Sequence, residues 1–442
     1  MTETIILQMI AERSYKELKE NLAQIHPVDL VELLDGFEHK YIVLIFRLLS
    51  KEDAAETFAH MNSDMQEVLI HSLNKEEIRE VMDELYLDDV ADILEELPAN
   101  LVDKLLEVTD EDTRHQINEL LNYPEDSAGS IMNVEYIAFR KEMTVAESML
   151  KIRQVGINRE TIYICYVTEK KKLIGCVMLM DLLSSRDDDT IEEIMETNVI
   201  FVHTDDNQED VAKLTRRYGL FALPVVDHES CMVGIVTVDD AMLVLQDETT
   251  EDINRMAAML PSEDSYFETS VWIHAKNRIP WLLFLMLSAT ITGLVLSYYD
   301  PIIVIMPILV SFIPMLMGTG GNCGSQSSSL IIRGLAVDEI KFNDLGHVLC
   351  KEISIALIVG AFLAFVNGIR ILFMYQDLKL AIVVGISLIL TIMMAKVIGC
   401  TLPMLADKLG LDPAIMAAPL ITTLVDSGSM IVMFCLATHI YM

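Results

Sequence analysis

The sequence predicts a multidomain membrane protein: an all-α superhelical N-terminal domain, an α/β middle, a linker helix and a membrane part of five helices. Three observations carry this. Over 442 residues the hydrophobic fraction reaches 52% while the formal net charge is −35. The two properties separate along the chain, since residues 1–270 hold 23 basic and 58 acidic side chains and residues 271–442 hold nine of each. Apolar residues recur at twelve-residue steps near the start, whereas long uncharged runs fill the end. The acidic sign excludes nucleic acid as a partner, because phosphate contacts need Lys and Arg. Seven cysteines show no C-x-x-C pair, which speaks against a zinc site or a disulfide framework. The start, MTETIILQMIAERSYKELKE, lacks the apolar core of a signal peptide.

The N-terminal domain is expected over 1–124. In steps of twelve from Asp29, the fifth residues are Leu33, Ile45, Thr57, Leu69, Val81, Ile93, Leu105 and Ile117, and the ninth are Phe37, Leu49, Met61, Leu73, Leu85, Leu97, Thr109 and Leu121. Each column is apolar in seven of eight units, and the i, i+4 spacing puts both on one helix face. Ser50, Asn62, Asn74 and Pro98 fall between units as turn formers and caps. Short helices stacked in register make a solenoid-like domain.

Between 125 and 246 the pattern becomes short β runs alternating with amphipathic helices. Ile131-Met132 recurs as Ile194-Met195, and the run from Leu173 to Asp181 recurs from Met232 to Asp240. This doubled unit (about 131–186 and 191–246) resembles tandem CBS domains. The resemblance implies an adenosine-nucleotide site at a T-x-x-D signature, present as Thr237 and Asp240 in the second copy. Met178 takes the Thr position in the first, so one site per pair is expected. No Walker motif, nucleophile elbow or metalloprotease motif occurs, and the chain is not expected to be an enzyme.

A linker helix is expected over 247–270, followed by five membrane spans at about 279–299, 302–332, 348–374, 380–406 and 413–441. Each apolar run is long enough to cross about 30 Å of hydrocarbon. With the N-terminus inside, Lys276, Arg278, Arg333, Lys341, Lys351 and Lys408 flank the spans on the cytoplasmic side and only Arg370 and Lys379 outside. The positive-inside rule then places the N-terminal domains in the cytoplasm and the C-terminus outside. The second span carries Gly320-Gly321-Asn322 and Gln326, which together suggest a polar cavity. The fifth carries Asp426 in mid-helix, a carboxylate whose burial costs at least about 2.5–3.5 kcal/mol and which by default marks an ion pathway. The alternative is a structural pair with Lys396, the only deep lysine. Glu352, beside Lys351, reads as half of an interfacial ion pair.

This order of parts resembles the MgtE family of magnesium transporters and channels, over nearly the whole chain. The carrying pieces are Tyr123-Pro-Glu-Asp-Ser-Ala-Gly-Ser-Ile-Met132, Asp88 to Leu97, Thr250-Glu-Asp252, Gly320-Gly321-Asn322 with Gln326, and Asp412-Pro413 with Asp426. The resemblance implies a homodimer in the cell membrane with a pore on its axis. Asp426 would bind hydrated Mg²⁺, with Asn322 and Gly321 at the pore. It also implies regulatory Mg²⁺ between acidic cytosolic domains, closing the gate through the linker as a plug helix. Candidate regulatory ligands are Asp88, Asp89, Asp92, Glu209, Asp240, Glu248, Glu251, Asp252 and Asp412. Mg²⁺ takes oxygen ligands and sheds water reluctantly, so carboxylates with amide oxygens suit it. Mg²⁺ is thus the expected ligand, and the CBS pair either binds ATP or is purely structural with no nucleotide.

Two other functions compete. In an ion-coupled secondary transporter of divalent cations Asp426 would bind Na⁺ or H⁺, but no inverted repeat is evident in five spans. A membrane-anchored nucleotide or ion sensor would have no use for a carboxylate in the middle of a span.

Overall fold

The structure, a computed structural model, describes residues 2–156, 159–261, 266, 269–337, 339–416 and 418–441. Ten short helices come first: α1 (Glu3–Ala11), α2 (Tyr15–Leu22), α3 (Pro27–Leu34), α4 (His39–Phe46), α5 (Lys51–Ala59), α6 (Ser63–Ser72), α7 (Lys75–Met82), α8 (Leu87–Glu96), α9 (Ala99–Val108) and α10 (Glu111–Leu120). From α3 on, every helix starts twelve residues after the last. Side chains cap three of the helix starts: Ser50, Asn62 and Asn74 accept from backbone N–H groups of the first turn, and Asn74 forms a capping box with Glu77. Alternate helices pack together, α3 on α5, α4 on α6, α5 on α7, α7 on α9 and α8 on α10.

The fifth-residue column is this stack's spine, with Ile45, Thr57, Leu69, Val81, Ile93, Leu105 and Ile117 all buried. Thr57 fits because its hydroxyl donates to the Asp53 carbonyl at 2.5 Å. The ninth-residue column does not share that helix face. Phe37, Met61, Leu73 and Leu97 are buried too, but they lie just past the helix ends. A helix of eight to ten residues leaves no room for them within a unit of twelve, so they close the turns instead.

Two three-stranded sheets follow with the same order. β1 (Ala138–Phe139) runs parallel to β2 (Ile164–Glu169), which pairs antiparallel with β3 (Lys172–Met178). β4 (Val202–His203), β5 (Ala222–Val226) and β6 (Met232–Thr237) repeat this arrangement. Helices α11 (Val145–Val155), α12 (Leu179–Ser184), α13 (Ile191–Ile194) and α14 (Gln208–Tyr218) complete the copies. The copies interlock reciprocally: Asn133 bridges to Ile235 on β6, and Glu196 to Cys176 on β3. A Cβ on Gly234 would meet Met132 Sδ at 2.7 Å, and one on Gly175 would meet Met195 Sδ at 3.0 Å. The recurring Ile-Met and φ-x-Gly pieces are therefore two halves of one joint.

α15 spans Val238–Met256 as a single helix. The expected linker helix does not begin at 247, and positions 262–265 and 267–268 of that linker lie outside the described residues. The remaining helices are α16 (Val271–Tyr298), α17 (Asp300–Ile305), α18 (Ile313–Ala336), α19 (Leu345–Tyr375), α20 (Leu378–Lys408) and α21 (Ala418–Tyr441). Among the described residues four, α16 and those ending with α19, α20 and α21, are long and apolar enough to cross a membrane. The expected span 302–332 is instead broken into α17, a 3₁₀ turn at Pro307–Phe312 and α18. Pro307 and Pro314 lack the N–H groups a continuous helix needs. α20 is the most enclosed, packed on α18, α19 and α21, whereas α16 has no buried residue.

Candidate metal-ion sites

α18 and α21 run antiparallel in close contact because glycines line the seam. A Cβ on Gly321 would meet Thr422 Cγ2 at 2.9 Å, and one on Gly324 would meet Ile421 Cγ2 at 2.6 Å. On the other side of α18, a Cβ on Gly399 of α20 would collide with the Gly324 carbonyl oxygen. Asp426 lies one turn beyond Thr422, half-buried inside α21. No Lys, Arg or His among the described residues lies within 4.0 Å of its carboxylate, and Lys396 is engaged elsewhere. Gly321 is buried, and its carbonyl accepts from Ser325 Oγ at 2.9 Å. Asn322, the next residue, is exposed on the outer side of α18 and lines an open cavity.

Glu352 is not half of an interfacial pair with Lys351. It is 7% exposed and accepts from Lys396 Nζ at 3.0 Å and from Ser327 Oγ at 2.5 Å. Lys396 Nζ also reaches Ser327 Oγ at 3.0 Å. Neighbours in a helix point to different sides, so Lys351 faces out while Glu352 faces in. The same pair removes the alternative in which Lys396 neutralises Asp426, and it makes Asp426 not the sole enclosed acid of the membrane part.

A second group of acids lies within the unit formed by residues 1–245. Asp88, Asp89 and Asp92 stand on the first turns of α8, and Asp240 on the first turn of α15. Asn133, fully buried, donates from Nδ2 to both Asp88 carboxylate oxygens at 2.9 and 3.0 Å and to Glu160 Oε2 at 3.1 Å. Burial, reinforced by neighbouring carboxylates, pushes Asp89 up to about 6 and Asp92 and Glu160 up to about 7. Asp88 is also raised well above the ordinary carboxylate range, by burial and then by Asp89. Such groups want a cation or a proton. Asn133 and Glu160 were not among the sequence candidates, since neither sits in a periodic pattern. Glu209 stands apart, paired with Lys213 at 2.7 Å on α14.

In the unit formed by 246–442, the Arg255 guanidinium bridges Glu251 on its own helix and Asp412 just before α21. Two expected Mg²⁺ ligands are thus brought together, with a cationic side chain between them. Glu248 and Asp252 lie on the same helix, α15. No three His, Cys, Asp or Glu side chains among the described residues are grouped so as to hold a metal ion. At the nucleotide candidate, Thr237 Oγ1 donates to Asp240 Oδ2 at 2.5 Å. The carbonyls of the exposed Tyr163 and Phe221 accept from the N–H groups of Leu179 and Val238 at the two strand–helix junctions, at 2.9 and 3.0 Å, and their rings lie 6.0 Å apart.

Comparison with known proteins agrees along the whole chain. Residues 313–436 match a family described as divalent cation transporter, residues 25–126 the MgtE intracellular N domain, and residues 191–247 the CBS domain. The chain is 37% identical to a magnesium transporter MgtE of Thermus thermophilus, covering 97% of this chain and 96% of that one. It is 30% identical to one of Bacillus subtilis, covering 98% and 96%. A crystal structure of the cytosolic domain of the Mg²⁺ channel MgtE in complex with ATP is similar with a TM-score of 0.52 and 38% identity, over 54% of this chain and 98% of that one.

Proposed function

Because the chain belongs to the MgtE family of magnesium transporters, Mg²⁺ is its transported ion, and we propose that it conducts Mg²⁺ as a selective channel that intracellular Mg²⁺ closes. The observation that carries this reading is the unpaired Asp426 carboxylate inside α21, two turns from its start and beside the glycine seam with α18. A carboxylate kept unneutralised at that depth has a use only if a cation visits it. Asn322 and the Gly321 backbone complete the site, recognising the hydrated ion through its waters. The chain acts as a homodimer with the pore at its axis, the parts in the order 1–124, 125–246, 247–270 and 271–442, the first three cytoplasmic and the C-terminus external.

Regulation uses the acids. Asp88, Asp89, Asp92 and Asp240 bind ions in the cytosolic unit, Glu248, Glu251, Asp252 and Asp412 around the linker, and Glu209 on the second CBS copy. ATP binds at Thr237 and Asp240, one molecule per chain. The deciding experiment is Mg²⁺ uptake into proteoliposomes. Asp426→Asn is expected to lower flux at least a hundredfold while the protein stays folded and monodisperse, and a variant conducting at the unmodified rate would remove the assignment. For the nucleotide, Thr237→Val is the cleaner probe because Asp240 also serves the ions. Calorimetry is expected to show ATP affinity falling at least tenfold.

A further inference from the structure

Beyond Asn322, the residues that line the cavity between α18, α19 and α20 take no part in the ion site proposed above. It measures about 780 Å³, and its walls include Asn322, Gln326, Ser329, Glu352, Ile355 and Lys396. Asn322, Gln326 and Ser329 are all exposed and follow one another at helical spacing along α18, so a polar stripe of that helix runs through the cavity. Among the described residues lining it, Glu352 and Lys396 carry the charges. Both are almost fully enclosed, 7% and 6% exposed, and both are held by Ser327. Lys396 lies twelve residues before the end of α20, roughly 18 Å along the helix axis.

An ion pair so placed is expensive to hold, and an apolar trio would join three helices without that expense. A purely structural origin therefore leaves its chemistry unexplained, whereas its position on the cavity wall does not. We propose that the Glu352–Lys396 pair sets the electrostatic potential of a vestibule on the Mg²⁺ path, Lys396 cancelling the carboxylate so that ions neither lodge in the cavity nor turn back from it. The proposal rests on the assignment of Asn322 and Asp426 to that path, because Asn322 belongs to both. In the same potential a divalent ion has twice the interaction energy of a monovalent one. Removing either member of the pair shifts the vestibule in opposite senses: a bare carboxylate concentrates Mg²⁺, and a bare ammonium excludes it.

The test is Mg²⁺ flux through the full-length protein in liposomes, measured against Mg²⁺ concentration. Lys396→Met is expected to lower the half-saturating Mg²⁺ about tenfold, Glu352→Gln to raise it about tenfold, and the double variant to restore it. A packing role would impair both single variants alike, and shifts in one direction, or none, overturn the proposal. Removing one partner of a buried pair can unfold a protein, so Ser329→Cys, outside the pair, gives an independent reading. A thiol reagent carrying an ammonium group is expected to raise the half-saturating Mg²⁺, and one carrying a sulfonate to lower it. The unmodified protein, with exposed Cys350 and Cys435, supplies the background. Equal effects of the two reagents, or no effect, overturn the proposal. Asp426→Asn separates the two readings. If it conducts normally the path assignment fails, and if it is silent while the charge shifts are absent only the vestibule fails.

Discussion

Gly234 shows how much a single missing Cβ does. Its place under Met132 also brings it within 2.9 Å, measured from an added Cβ, of the Asn133 carbonyl oxygen, an atom fixed by the bridge to Ile235. Met132 has a flexible end that yields, but the carbonyl does not. Gly234→Ala is therefore expected to destabilise the 1–245 unit by about 1–3 kcal/mol, the usual range for overpacking, read as a lower urea midpoint. An unchanged midpoint would mean that the joint between the two copies is loose. The sequence displays the recurrence of Gly175 and Gly234, and of Met132 and Met195, but not that each glycine receives the methionine of the other copy. The sequence points Glu352 to the wrong partner for a related reason. Its sequence neighbour Lys351 offered a partner, while its true one, Lys396, lies 44 residues away on another helix. Asn133 holds Asp88 and Glu160 over similarly long separations, and no local spacing announces such a trio. Asp426, by contrast, stands out in the sequence because no other Asp, Glu, Lys or Arg follows Asp412.

Helices of eight to ten residues are marginal alone, so caps and stacking decide whether the N-terminal ones form. Asn74 Oδ1 accepts from the N–H groups of Glu76 and Glu77 at 2.8 and 3.0 Å, and Glu77 returns a bond to the Asn74 N–H at 2.9 Å. Asn74→Ala is expected to cost about 1 kcal/mol in urea denaturation of the same unit, and a neutral result would show that stacking alone holds α7. The twelve-residue step is visible in the sequence because each unit repeats one cap and one core position. What it conceals is how few of the twelve residues are helical, which is why the ninth-residue column lies in turns. α15 is continuous from Val238, so its acids at both ends ride on one helix. Arg255 occupies the ground between Glu251 and Asp412, where a bridging Mg²⁺ would compete with it. Arg255→Gln is expected to let Mg²⁺ close the channel at a several-fold lower concentration on the linker side, measured by flux into liposomes of set internal Mg²⁺. A higher closing concentration would show instead that the guanidinium is itself the latch.

At the scale of the molecule, charge is the dominant asymmetry, since the entire net charge of −35 sits in residues 1–270. Part of it is held under strain. In the folded 1–245 unit Asp89 titrates at about 6, and Asp92 and Glu160 at about 7, because burial and neighbouring carboxylates disfavour their ionised forms. In the unfolded chain the same groups ionise near 4. Between these values the folded state binds more protons than the unfolded one, so stability falls as pH rises from about 4 to 7, and the full penalty is present above 7. Half-buried or exposed acids with lowered values, such as Glu77 beside Arg47, work in the opposite sense but only below the ordinary carboxylate range. The window from pH 5.5 to 8 therefore reports on the buried cluster. Without divalent ions, the melting temperature of the 1–245 unit is expected to be higher at pH 5.5 than at pH 8, by on the order of 5 °C. Mg²⁺ added at pH 8 is expected to recover that difference and to compact the unit in small-angle scattering, because it neutralises charges that matched monovalent salt only screens. At pH 5.5 protons already occupy the cluster, so the same Mg²⁺ is expected to do little. A melting temperature that rises with pH, or a Mg²⁺ response equal at both pH values, would show that the buried acids are not where the ion acts.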